Sequence, residues 1–206
     1  IIVSVKLNKL QQKDWIKDNR KQFPAFRVGR FWVHGSHITS ASTSSLFSIC
    51  VDAAQAFGSG THATTKGCML AIQSNMLSQR HTDRILDLGC GSGILAMAAK
   101  CIFPNASVIA ADYDSISVKT ALQNWRLNQF SNKGFFAVHS DGFSNAKLRT
   151  RHKFDLIIAN ILARPLRVFS PWIAKRLNIN GRVILSGLLT SQVREIRAIY
   201  RHHNLF

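Results

Sequence analysis

The chain has 206 residues, 46% of them hydrophobic, enough for one large domain, or one domain with a small addition, around a real core. Twenty-seven Lys and Arg against ten acids give a net charge of +17, and the surplus sits on the flanks: eight basic against two acidic residues in 1–30, and twelve against two in 144–206. Such a balance draws phosphate-rich partners such as RNA or a ribonucleoprotein, and the lack of any apolar run near 18 residues excludes a membrane-spanning helix.

The chain opens IIVSVKLNKLQQKDW. No long apolar core follows a basic head, so a secretory signal is not expected. There is no initiator Met, so a processed form or a fragment is expected. Residues 1–50 are basic and mixed, with little clean periodicity. The Ser/Thr-rich run SHITSASTSSLFS (36–48) reads as a loop or linker, and the domain boundary falls near residue 50. His34 and His37 in HGSH lack nearby acid or thiol ligands, so a solvated loop is expected there rather than a metal pair. Cys50, Cys68, Cys90 and Cys101 form no CxxC pair and read as reduced thiols in or beside the core, as in a cytoplasmic protein.

From residue 84 strand and helix signals alternate. RILDLG (84–89) predicts a strand and ILAMAAKCIF (94–103) a helix. SVIAAD (107–112) is a strand and SISVKTALQNWRLNQ (115–129) a helix. GFFAVHS (134–140) and KFDLIIANI (153–161) are the third and fourth strands. RPLRVFSPWIAKRL (164–177) is helical, with Pro171 expected to kink or divide it. RVILSGL (182–188) is a fifth strand and TSQVREIRAIYRHHN (190–204) a last helix. Short, continuously apolar strands with helices between them predict a doubly wound α/β domain with a parallel sheet.

The stretch ILDLGCGSGILA (85–96) places Gly89, Gly91 and Gly93 at every second position between strand and helix. Glycines there allow a tight turn and a close approach to the backbone. Ligands of open parallel sheets bind at the C-terminal strand ends. Asp112 ends the next strand, 19 residues past Gly93, where a carboxylate can accept both ribose hydroxyls. The spacing is not that of the dinucleotide fingerprint GxGxxG, and no GxxxxGK[ST] loop exists. Asp87, two residues before the first glycine, would oppose a pyrophosphate but suit a cation. A nucleoside cofactor that is cationic, S-adenosylmethionine, fits, and D-x-G-x-G-x-G resembles the first motif of the seven-strand methyltransferases.

AFGSGTHATT (56–65) before the first strand and NILA (160–163) after the fourth, together with LDLGCGSGILA, resemble the PrmA family, the methyltransferases of large-subunit ribosomal protein eleven. The resemblance covers roughly residues 10–200, including DW (14–15) and GRFWVHGSH (29–37). It implies a class I methyltransferase of Rossmann-like fold using S-adenosylmethionine. It implies that Thr65 contacts the cofactor, that Gly89 lies under its methionine part and Gly91 shares the backbone approach, that Asp112 holds the ribose, and that Asn160 lies beside the methyl group. Asp141 either lies near the adenine or caps a turn. The implied reaction is methylation of lysine and N-terminal amines of a ribosomal protein, with no metal. Asn160 would accept a hydrogen bond from the attacking amine. His62 is either a proton acceptor or a loop-packing residue. No residue of the chain is assigned as a chemical catalyst.

The sequence departs from the family in three places. Ser59 stands for the usual threonine in FGTG. Only residues 1–50 stand where the family has its N-terminal recognition domain. The family fold continues with two more strands after the fifth helix, whereas the chain stops at Phe206, so the sheet is expected without its last two strands. Two other functions compete with this one. An RNA or DNA base methyltransferase suits the charge, but NILA lacks the N-P-P-aromatic motif of its amino-directed members. A non-catalytic ribosome-docking module suits the missing strands, but the glycines, Asp112 and Asn160 are intact.

Overall fold

The computed structural model describes residues 24–38, 46–52, 62–76 and 81–206. It begins with a small sheet of β1 (Phe26–Val28), β2 (Phe31–His34) and β3 (Phe47–Cys50). β1 and β2 pair antiparallel, and β3 pairs parallel to β2. Phe47 and Ser48, expected in a loop, therefore lie in a strand. His34 is also not on a solvated loop. Its ring nitrogens meet the Gly35 carbonyl at 2.9 Å and Ser48 Oγ at 2.9 Å, and the side chain is buried. The short period of these strands, with Phe31 and Val33 inward and Trp32 between them, is what the mixed composition hid.

The rest of the chain alternates: α1 (Ala63–Met76), β4 (Arg84–Leu88), α2 (Ile94–Ile102), β5 (Ser107–Asp112), α3 (Ser115–Leu127), β6 (Phe135–His139), β7 (Phe154–Asn160), α4 (Ala163–Arg176), β8 (Leu177–Ser186) and α5 (Val193–His202). β4 to β8 form one parallel sheet in the order β6-β5-β4-β7-β8. This is the doubly wound fold read from the sequence. The strands are apolar throughout because both faces are covered. In β4, Ile85 joins the core under α1, α2 and α3, which also takes in Phe31, Val33 and Ile49 of the small sheet. Leu86 and Leu88 point the other way, to a second core built by Leu166, Ile173, Ile196 and Tyr200 of α4 and α5. Among the described residues no helix is long and apolar enough to cross a membrane.

Two boundaries differ from the sequence reading. Pro171 lies inside α4, which runs on as one helix. Proline cannot donate to the carbonyl four residues back, that of Arg167. The Ser170 hydroxyl donates to that carbonyl instead, at 2.9 Å. β8 starts directly at the end of α4, at Leu177 paired with Phe154, and the pairing then jumps to Leu156 with Arg182. Asn180, with φ of 62°, lies within the intervening irregularity.

Candidate functional site

The chain runs from β4 to β5 and β6 on one side, then to β7 and β8 on the other. The switch falls at the C-terminal end of β4, where such sheets bind ligands. Leu88 pairs with Ala111 of β5 and with Ala159 of β7. Asp112 and Asn160 are the next residues of those strands, so they flank Gly89 from either side. Two strand spacings put them about 10 Å apart.

The glycine turn closes onto β5 through its own amides. Gly89 and Cys90 both donate to the Ala111 carbonyl, at 2.8 and 3.0 Å, and Gly91 N–H donates to Asp112 Oδ2 at 2.8 Å. Gly89, Gly91 and Gly93 all have positive φ, 75°, 52° and 80°, a region that costs other residues roughly 1–2 kcal/mol. The close neighbours at two of them belong to the chain itself. A Cβ on Gly89 would lie 2.2 Å from Ile161 Cγ2, and one on Gly93 would lie 2.9 Å from Ala121 Cβ of α3. The sequence could show that something approaches, but not that Ile161, just past β7, and Ala121 of α3 supply it.

Asp112 is buried, and each carboxylate oxygen already accepts one backbone N–H: Oδ2 from Gly91 and Oδ1 from Asp114 at 3.0 Å. Each oxygen keeps further lone-pair capacity. Asp114 in turn caps α3, accepting from the Ile116 amide, the Ser117 hydroxyl and the Ser117 amide, and these bonds hold its carboxyl below the usual range. Tyr113 between them is 75% exposed.

Asp87 is 1% exposed. Its Oδ2 accepts the Ala96 N–H at 2.9 Å, the third amide of α2, a helix with no side-chain cap of its own. Among the described residues its Oδ1 has no hydrogen-bond partner. Burial pushes the carboxyl up to about 7, the Ala96 hydrogen bond working against the shift and the nearby Asp112 charge adding to it. A cation beside Oδ1 would restore the ionised form.

On the other flank, Asn160 Nδ2 donates to Thr65 Oγ1 of α1 at 3.2 Å. Thr65 is buried, and Ser186 Oγ at the end of β8 donates to the Thr64 carbonyl at 3.4 Å. The start of α1 thus closes over the ends of β7 and β8. One amide hydrogen of Asn160 is engaged by Thr65, which orients the side chain and its acceptor Oδ1. Thr65, Gly89, Gly91, Asp112 and Asn160 therefore converge on one edge of the sheet. His62 is exposed, and its carbonyl accepts from Lys66 at 3.1 Å at the start of α1. Asp141 is exposed and sits at the start of a turn, its carbonyl accepting from Ser144 N and its N–H donating to Ser144 Oγ. Residues 56–61 of the AFGSGTHATT stretch, Ser59 among them, lie outside the described residues, as does the DW pair.

Sequence reading missed Asn124. This side chain, fully buried on α3, donates to the Ser92 carbonyl in the glycine turn at 2.9 Å and accepts from Asp52 N–H at 2.9 Å. The signal was Asn124 beside Ala121 and Trp125 on the inward stripe of α3, with Asn128 four residues on at the end of the helix.

The chain matches the family model described as ribosomal protein L11 methyltransferase (PrmA) over residues 2–206. It is 40% identical over 196 residues to the ribosomal protein L11 methyltransferase of Bradyrhizobium diazoefficiens, covering 95% of this chain and 65% of that protein. It is 42% identical over 187 residues to that of Agrobacterium fabrum, covering 91% and 63%. The chain thus spans a little under two thirds of the length of these two relatives. Among solved structures it resembles a ribosomal protein L11 methylase from Lactobacillus delbrueckii subsp. bulgaricus, with a TM-score of 0.74, 28% identity, and 87% of this chain and 88% of that one covered. A precorrin-6y C5,15-methyltransferase from Geobacter metallireducens, at 15% identity and a TM-score of 0.58 over 71% and 75%, shares the fold.

Proposed function

The chain belongs to the ribosomal protein L11 methyltransferase family, and from that premise we propose that it binds S-adenosylmethionine at the C-terminal edge of its sheet and methylates lysine and N-terminal amines of a large-subunit ribosomal protein. The observation that carries this reading is the placement of Asp112 and Asn160 on either side of Gly89, fixed by the pairing of Leu88 with both Ala111 and Ala159. In this reading residues 51–206 carry the donor site, and residues 1–50 meet the acceptor protein. Contact with ribosomal RNA runs through the basic flanks, and the setting is the cytoplasm.

The donor set fits the cofactor. Asp112 keeps lone pairs for two ribose hydroxyls while Gly91 and Asp114 hold it in place. Asp87 offers a buried carboxylate oxygen that has no hydrogen-bond partner among the described residues to a cationic ligand. Thr65 and Gly89 complete the cradle. When bound, S-adenosylmethionine supplies a methyl group activated by its sulfonium. The chain's own task is to hold a neutral amine in place. A free lysine is mostly protonated near neutral pH, so the site must favour the uncharged form by desolvation, with the proton leaving to water. Asn160 Oδ1 accepts a hydrogen bond from that amine and stabilises the charge that develops on it. Thr65 fixes the Asn160 amide so that Oδ1 stays in position. No residue here has to act as a general base.

The test is calorimetric titration of the chain with S-adenosylmethionine, followed by transfer of labelled methyl to ribosomal protein L11 or to ribosomal RNA. Label on the protein supports the reading. Label on RNA alone moves the function to base methylation. Absence of binding by a folded chain reduces it to a docking module.

A further inference from the structure

We infer that the outer face of α4 and α5 is an RNA-docking surface that grips phosphates. This deepens the RNA-contact reading above and rests on it, while standing apart from methyl transfer.

The exposed cations of the described residues are unevenly layered. On α5, Arg194, Arg197 and Arg201 recur at helical spacing and are all exposed, while Ile196 and Tyr200 on the opposite stripe are buried. Exposed Arg164, Arg167 and Lys175 continue the layer on α4. The two helices are joined by Tyr200 Oη donating to the Leu166 carbonyl at 3.0 Å and by the Arg167–Glu195 pair at 2.6 Å. The segment entering β7 adds Lys147, Arg149, Arg151 and Lys153, all exposed. Arg176 of α4 donates to the carbonyls of Arg149 and Thr150 and so fixes that segment beside the helix. Ten exposed cations thus share one side of the sheet, and the exposed acids among them are Asp141 and Glu195, the latter already paired. On the opposite side, α1 to α3 carry two exposed cations, Lys119 and Arg126, and the segment after α3 and the small sheet add Lys133 and Arg27.

The chemistry of this layer points to RNA. Seven of the ten cations are arginines, whose planar fork matches phosphate oxygens in pairs. Flat aromatic surface lies among them. Trp172 of α4 is 42% exposed with Lys175 Nζ 5.9 Å from its ring centre, and Phe136 is 40% exposed with Lys147 Nζ at 4.1 Å. Bases of unpaired nucleotides can stack on such rings while the cations take the backbone. α4 starts three residues after Asn160, so Arg164 stands at the site's end of the layer. RNA laid along α4 would end beside the acceptor side of the site.

The experiment titrates a fluorescein-labelled RNA hairpin with the 206-residue chain at several salt concentrations, read by anisotropy. Arg194→Gln/Arg197→Gln/Arg201→Gln should weaken binding by about tenfold or more and lower the salt slope by about two to three. Lys119→Gln/Arg126→Gln on the opposite layer should stay within about twofold of wild type. Unchanged thermal melts show that both variants are folded. If wild type binds RNA and the arginine variant binds equally well, or both variants weaken alike, this face is not the surface, though RNA contact stands. If wild type binds no RNA, both readings fall. Arginine-dependent binding to phosphatidylglycerol vesicles without RNA binding would make the face a membrane surface and overturn the assignment.

Discussion

Ile161 Cγ2 fills the space beside Gly89 where a Cβ would stand, 2.2 Å from that position. Gly89→Ala therefore meets both a clash and a left-handed φ. It should cost about 2–4 kcal/mol of stability. If packing is the reason, Ile161→Ala should relieve part of that cost, and the double variant should be less destabilised than the two singles summed. Denaturant unfolding of all four proteins measures this. Strict additivity would show that Ile161 is not what demands the glycine.

Asp112→Ala removes the acceptor for Gly91 and Asp114 as well as the ribose contact. Donor binding should weaken by roughly 100-fold, the scale of two hydrogen bonds to a charged group. Asp112→Asn keeps one acceptor and should lose about tenfold. Calorimetry on the two variants orders them. Equal, small losses would move the ribose site away from Asp112.

Asp87 carries a pH signature. Its carboxyl is pushed up to about 7 by burial. The unfolded value lies near 4, so between the two the folded chain holds a proton that the unfolded chain has released. The stability this contributes is full below about pH 4 and is lost as pH rises through about 7. Melting temperature should fall from about pH 5 to 8, and Asp87→Asn should flatten that fall. Donor affinity should move the opposite way, rising over the same interval with proton release, seen as buffer-dependent binding heats. Superimposable melting profiles of wild type and variant would assign the titration to another group.

Asn160→Ala should lower kcat by about 10- to 100-fold, because its carbonyl acts where charge develops. Thr65→Val leaves that carbonyl in place but frees the amide, so a loss of a few fold is expected. Single-turnover methyl transfer separates the two. A larger effect at Thr65 would make the hydroxyl, not the amide, the acceptor's partner.

Ser170→Ala should cost about 1 kcal/mol, because the Arg167 carbonyl loses its donor. In the background of Pro171→Ala, which restores a backbone N–H to that carbonyl, the cost should largely vanish. Thermal melts of the four proteins would show it, and an undiminished cost would mean the hydroxyl acts elsewhere.

Much of this was readable from residues 84–206. The parallel strands announce themselves because both faces are buried, so Ile85 to Leu88 and Phe154 to Ala159 are apolar without alternation, apart from the inward Asp87 and the partly exposed Asp155. Asp112 stood out because it ends such a run, whereas Asn160 stood out only through the resemblance of NILA to the family motif. The small sheet did not, since three or four residues per strand give too short a period, and Ser48 looks like loop chemistry while it bonds His34. Asn124 was hidden because its role depends on Ser92 and Asp52, which are remote in sequence. Of the two outcomes expected at Pro171, division of the helix does not occur, and the Ser170 hydroxyl that meets the Arg167 carbonyl was not readable as its remedy.

Asn124 of α3 and Asn128, which caps the end of that helix, have a dynamic consequence. Asn128 holds Cys50 by both its N–H and its carbonyl, at 2.7 Å each, and Asn124 holds Asp52 and Ser92. The amides of Cys50 and Asp52 therefore bond to a helix more than seventy residues away rather than to a strand. They can exchange with solvent only when α3 lifts off, and that same event releases the glycine turn. The end of the small sheet, the helix and the turn open as one cooperative unit, so tightening any one of them slows hydrogen exchange in all three.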